Sequence, residues 1–346
     1  MMNTVQPVLQ ENTSFKKECE RVKKRIMSKQ VYTFGGYLKE KFHEKVYKAP
    51  ISISGFTCPN IDGTVARGGC TFCENDSFSP SLDGVQELKG FHLNLDSTEN
   101  PHLDKQLLQL EKQFEVIVSK SKREYGAKKF LVYFQSFTNT YAPFDTLKAL
   151  YDRALTFDDV VGLSIGTRSD SVTDETLAYL AELNKTKEIW IEFGIQSVYD
   201  ETLERINRGH DSENVKQLIL KAKALGLNVC GHLIFGLPGE DKEMMLETAK
   251  KAYEWGIDSV KYHPLYVTKR TALANEYNRG DFEPISEELY LEVLLESIQM
   301  KPENVSVQRI TAGIDDDSLI APNWCRDRNA QVRNINKTLK TVGLKY

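Results

Sequence analysis

Three of the chain's six cysteines, Cys58, Cys70 and Cys73, fall on one Gly- and Asn-containing stretch in the pattern Cys-x11-Cys-x2-Cys. Thiolates are soft ligands, and three on one flexible loop can hold three irons of a four-iron, four-sulfur (4Fe–4S) cluster. The fourth iron then has no protein ligand from the motif. It is open to chelation by a small molecule, much as catalytic zinc keeps one position free. A structural zinc site would instead close with four protein ligands, usually as two close pairs. Here Cys70 and Cys73 form one pair, Cys58 stands alone, and the nearest downstream histidine is His92. Disulfides fit less well: the cysteines are few for 346 residues, and the polar start from Met1 to Ser14 lacks the apolar core of a secretory signal.

The run FTCPNIDGTVARGGCTFC, with Phe72 between the last two cysteines, resembles the cluster loop of radical S-adenosylmethionine (SAM) enzymes. Its long first spacing departs from the commonest Cys-x3-Cys-x2-Cys form. It is similar instead to the branch containing the elongator catalytic subunit and its small YhcC/YtqA-like bacterial relatives. The likeness runs from about Tyr32 to the C-terminal tail. It implies a 4Fe–4S cluster on Cys58, Cys70 and Cys73, with SAM chelating the open iron. An electron from a donor such as flavodoxin or ferredoxin would cleave SAM to methionine and a 5′-deoxyadenosyl radical, which abstracts hydrogen from the substrate. The cofactor carries that chemistry, and the protein supplies orientation and exclusion of water.

Something must hold such a loop in place. From Ala49 onward, apolar runs of strand type alternate with longer helical patterns. The strands are expected at 51–56, 129–135, 160–165, 188–195, 229–235 and 259–265. The helices are expected at 103–125, 144–155, 174–183, 213–225, 242–255 and 287–300, with a short strand at 305–309. Strands alternating with helices build a parallel sheet through right-handed crossovers. Six βα units are too few for an eight-fold barrel. They match the partial (β/α)6 barrel that the radical SAM resemblance implies, an α/β fold with N- and C-terminal extensions. The expected division is 1–48, a basic and aromatic extension; 49–270, the barrel core; and 271–346, a helix, a short strand and a basic tail.

Ligands in parallel α/β folds bind at the carboxyl ends of the strands, and the polar residues cluster there. After the second strand come Ser136, Thr138 and Asn139, where radical SAM proteins carry a Gly-Gly-Glu-like motif for the methionine amino group; the glycines are missing here. Arg168 and Asp170 follow the third strand, free to line a pocket or to pair. On the fourth, Glu192, Gly194 and Gln196 share a face that an apolar core would reject. By resemblance to porphyrinogen-decarboxylating relatives, Gln196 and Arg208 contact SAM, with Arg208 on its carboxylate, and Glu192 accepts from the ribose hydroxyls. The apolar residues around Ile234 are placed to flank the adenine, beside a Gly236-Leu237-Pro238-Gly239 turn that lets backbone approach closely. His232 reads as a satisfied interior histidine, His263 as a mouth residue. Cys230 reads as core packing, and Cys325 lies among arginines that would lower a thiol's pKa.

The net charge of −4 is unevenly spread. Residues 1–48 hold eleven Lys/Arg against five Asp/Glu, and the tail from Arg326 holds six against Asp327 alone. Basic ends on an acidic body suit a polyanion, or simply solvated helices. The aromatics Tyr32 to Tyr47, set among lysines, suit base stacking or a plug for one end of the barrel. No apolar run reaches membrane-span length, and a cytoplasmic location is expected. The resemblance implies tRNA as substrate, through processing of the 5-carboxymethylaminomethyl side chain of wobble uridine. No acetyl-CoA step is expected, since only a helix, a short strand and the tail follow the sixth unit. Two alternatives stand beside this: a radical SAM enzyme for a small tetrapyrrole-like acid, and a zinc- or cluster-bearing nucleic-acid-binding protein without turnover.

Overall fold

A computed structural model describes residues 30–74, 88, 90–314 and 317–346; residues 15–29, whose sequence reads as a basic, weakly amphipathic helix, and Cys19 among them, lie outside the described residues. The first element is a helix, α1 (Phe34–Phe42), capped by Thr33. Strand β1 (Val46–Ile51) follows, and the short helical turn α2 (Pro59–Asp62) starts the cysteine loop. Then come α3 (Leu103–Tyr125), β2 (Lys129–Phe134), α4 (Phe144–Leu155), β3 (Val160–Thr167), α5 (Asp174–Asn184) and β4 (Glu188–Gln196). Next are α6 (Asp200–Arg205), α7 (Ser212–Ala224), β5 (Asn228–Phe235), α8 (Lys242–Glu254), β6 (Ser259–Pro264) and β7 (Val267–Thr268). The chain ends with α9 (Ala272–Arg279), α10 (Glu287–Met300), β8 (Ser306–Arg309), β9 (Leu319–Ala321) and α11 (Arg328–Thr341).

The main sheet has seven strands in the order β1-β2-β3-β4-β5-β6-β8, every neighbouring pair parallel. This is the expected partial barrel, extended by β8 on its open edge. Strand β2 is buried from Phe130 to Phe134, as a strand covered on both faces must be. The helix starts follow local chemistry: Thr173, Asp211, Asp241 and Ser286 each accept the backbone N–H three residues on, opening α5, α7, α8 and α10.

The first strand differs from the expectation. The alternation Ile51-Ser52-Ile53-Ser54 reads as a strand, but pairing with β2 ends at Ile51. Beyond it, glutamines of α3 take over the ladder's role. Gln113 bonds both the N–H (3.0 Å) and the carbonyl (2.8 Å) of Ser52, while Gln109 and Gln106 do the same for Ser54 (3.2 and 2.7 Å). Buried backbone must be paired, and amide side chains serve as well as a strand.

The aromatic–basic segment plugs the amino-terminal end of the barrel. Phe34 and Leu38 are buried with Leu131, Trp190 and Cys230, and Phe34 meets Trp190 edge-on at 4.9 Å. The Tyr37 hydroxyl donates to Glu188 at 2.6 Å, and Lys41 pairs with the same carboxylate.

Candidate cluster and cofactor site

The cysteine loop leaves the carboxyl end of β1 and is held by the segment after α6. Cys58 is the N-cap residue of α2. Asn60 donates to the carbonyls of Asn207 and of Arg208 (3.0 Å), and its Nδ2 lies 3.8 Å from the Cys70 Sγ. Asn207 answers with its own amide on the carbonyl of Gly69 at 2.7 Å, and Thr71 N–H bonds Ile206 at 3.0 Å. Gly209 sits at φ +79°, where a Cβ would lie 2.3 Å from Asn60 Oδ1, so this crossing admits glycine alone. The three thiols feel one another. Cys73 is pushed up to about 12 first by burial and then by the Cys70 and Cys58 charges, with Arg208 and Arg168 opposing. Converging thiols beside two guanidiniums suit an iron–sulfur cluster, whose irons displace the protons and whose thiolate-bound form is anionic.

Around this loop lie polar atoms that the protein leaves unsatisfied. Among the described residues, Gln196 Oε1 and Arg208 Nε are buried without a hydrogen-bond partner, as are Asn60 Oδ1 and His210 Nε2. Gln196 itself is held at φ +65°, a left-handed conformation costly for a non-glycine residue. Arg208 uses Nη2 on the Gly194 carbonyl (3.0 Å) and Nη1 toward Cys70. A buried orphan acceptor and an orphan charged donor fit the ammonium and carboxylate of an amino-acid ligand beside the cluster. Arg168 and Asp170 pair with each other, and Arg168 also bonds the Arg208 carbonyl at 2.9 Å. They brace the site. Burial and the neighbouring guanidiniums push His210 down to about 3, which keeps it neutral.

A cavity of about 230 Å³ opens against Phe72 of the loop and takes in Ser136, Gln196 and Ile234. Ser136 bonds Ser52. Thr138 and Asn139 are buried but do not line this cavity; Asn139 instead donates to the Gly166 carbonyl at 2.9 Å, tying the β2 turn to β3. Below it, Glu192 is fully buried with both oxygens engaged, by Lys48, Lys261 (2.5 Å), Ser164 (2.5 Å) and His232 (2.8 Å). Lysine attraction holds Glu192 well below the usual carboxylate range despite burial. It anchors the lumen's lysines and offers no free acceptor to a ribose. Glu192, Cys230 and His232 come within 4.8 Å of one another, but two ammonium groups on the same carboxylate exclude a metal cation.

The environment of Cys325 reverses the sequence reading: it is fully buried, and burial with Glu287 raises its thiol pKa. Cys230 is core packing, as read. The sequence reading missed Tyr133, Lys261 and Arg309, all on the cavity wall. Lysines and arginines at strand ends look like solvated caps until the sheet curls them inward.

The sequence profile of the radical SAM superfamily matches residues 62–252, and that of the radical SAM C-terminal domain matches 257–341. YtqA of Bacillus subtilis is 36% identical over 315 residues, covering 91% of each chain. A tRNA uridine(34) acetyltransferase of Methanocaldococcus jannaschii is 32% identical over 157 residues, 44% of this chain and 28% of that one. The structure of the Methanocaldococcus infernus elongator protein Elp3 superposes with a TM-score of 0.54 at 20% identity, covering 86% of this chain and 64% of that one, which is agreement in fold. Among the described residues, no helix is long and apolar enough to cross a membrane. The chain belongs to the radical SAM superfamily, whose enzymes use a 4Fe–4S cluster and SAM.

Proposed function

We propose that this radical SAM enzyme acts on the 5-carboxymethylaminomethyl side chain of the wobble uridine of tRNA. The carrying observation is the acid-free cavity against the cluster loop, in a chain whose barrel resembles that of a tRNA uridine(34) enzyme. Cys58, Cys70 and Cys73 would hold the cluster, and Gln196 and Arg208 would hold the methionine end of SAM, with Ile234 against the adenine. When bound, that pair of cofactors supplies a primary carbon radical able to take hydrogen from an unactivated carbon. The chain's residues orient the reactants and keep water out.

A second observation supports RNA. The start of the described chain meets the basic tail: Val31 N–H bonds the Lys345 carbonyl at 2.8 Å, and Gln30 bridges Lys345. Arg328, Arg333, Lys337, Lys340 and Lys345 are all exposed. Such a surface attracts a phosphate backbone, with affinity falling as salt rises.

The test compares wobble-uridine nucleosides in tRNA from wild-type and deletion strains. Anaerobically reconstituted protein is then incubated with SAM, dithionite and the deletion strain's tRNA. Accumulated carboxymethylaminomethyl uridine in the deletion strain, consumed in vitro with release of 5′-deoxyadenosine, is the expected result. Identical nucleoside profiles would overturn the tRNA reading in favour of a small-molecule acid.

A further inference from the structure

Among the described residues the cavity wall carries no Asp or Glu, yet Lys261 and Arg309 both reach it. Lys261 is committed to Glu192 (2.5 Å) and to the Tyr133 hydroxyl (2.9 Å). Arg309 is not committed. It ends β8, in register with Lys261, is half-buried, and has no hydrogen-bond or ion-pair partner among the described residues. Its charge acts on Tyr133, His263 and Tyr266, three other members of the wall. Lys48 and Lys261 both pair with the Glu192 carboxylate, and Arg309 does not share in that pairing.

A guanidinium drawn into a half-buried wall loses part of its hydration, and a bound anion would restore that interaction. Its planar fork matches a carboxylate in two parallel hydrogen bonds. The carboxylate of SAM has its own arginine in Arg208, which touches the cluster loop through Cys70 at 3.7 Å. Arg309 stands on the last strand of the sheet, two strands beyond β5 and Ile234.

We propose that Arg309 is the specificity-determining residue of the substrate pocket, gripping a carboxylate on the substrate. The inference rests on the wobble-uridine reading, in which that carboxylate is the tip of the carboxymethylaminomethyl group. It explains how the pocket would tell an acidic side chain from the amine that remains once the acid is gone.

The test uses reconstituted wild type, Arg309→Met and Arg309→Lys. Each is titrated with anticodon stem–loop RNAs carrying 5-carboxymethylaminomethyluridine or 5-methylaminomethyluridine at the wobble position. Wild type should prefer the carboxylate RNA by about ten- to a hundredfold, the range of a charge-assisted hydrogen-bond pair. Arg309→Met should bind both alike, Arg309→Lys should recover part of the preference, and SAM affinity should be the same in all three. A Met variant that keeps the preference overturns the proposal, as does one that instead loses SAM affinity, which would place Arg309 on the cofactor's carboxylate. If wild type binds neither RNA, the wobble-uridine reading falls and the arginine is read alone. Protection of Arg309 from phenylglyoxal by N-methylglycine, but not by dimethylamine, then supports a carboxylate site; equal labelling overturns it.

Discussion

Arg208 Nη1 lies 3.7 Å from Cys70 Sγ, joining groups 138 residues apart in the chain. The contact ties the loop that would hold iron to the residues that would hold the cofactor, so displacement of one is felt by the other. Its Nε is buried and has no hydrogen-bond partner among the described residues.

Replacing Arg208 with Met should weaken SAM binding by about ten- to a hundredfold, as expected for loss of a charge-assisted bond. Arg208→Lys should recover little, because a single ammonium cannot reach Gly194, the loop and a ligand at once. Equilibrium dialysis of SAM against protein of equal iron content reads this directly. Unchanged affinity would remove Arg208 from the cofactor site.

Alanine at any one of Cys58, Cys70 or Cys73 should abolish stable cluster loading, seen as loss of iron, sulfide and brown colour after anaerobic reconstitution. Gly209→Ala should do much the same without touching a ligand, since its Cβ would strike Asn60 and displace the loop. Iron retained at wild-type levels in the glycine variant would show that the loop tolerates the shift.

Breaking the lumen's charge balance should cost far more than a surface ion pair. Glu192→Gln leaves Lys48 and Lys261 buried without their counter-charge, and a loss of about 3–5 kcal/mol is expected in urea denaturation of the iron-free protein. Adding Lys261→Met should return part of that loss, a non-additivity that a double-mutant cycle measures.

Glu240 provides a pH signature. Its carboxyl is pushed up to about 7, chiefly by burial, while Ser197 and Thr202 pull the other way. The folded state therefore binds more protons than the unfolded state between the ordinary carboxylate range and neutrality. Stability falls as pH rises through that window and then levels off. Iron-free Glu240→Gln should match wild type near pH 5 and exceed it at pH 8 in thermal unfolding. A gap of the same size at both pH values would show that ionisation of Glu240 carries no cost.

Much of this protein is local, and local features are legible in a sequence. The three clustered cysteines stand out by type and spacing as candidate cluster ligands. The helices α3, α4 and α10 lie where their periodicity puts them, because apolar stripes act within a few turns. What the sequence could not settle are choices between distant partners. Ile51-Ser52-Ile53-Ser54 alternates like a strand, yet three glutamines of α3 decide that its backbone bonds to side chains. Glu192 was legible as a buried ligand-seeking acid, but two lysines, one before and one after it in the chain, satisfy it only once the sheet curls. Cys325 sits among arginines in the sequence and away from water in the fold, and desolvation outweighs neighbours that are near only along the chain. Arg309 is an ordinary basic residue until β8 joins the sheet beside β6 and turns it to the cavity. Spacing shows which atoms could bind iron; curling of the sheet determines which charges are left without a partner, because burial removes the water that would otherwise have served.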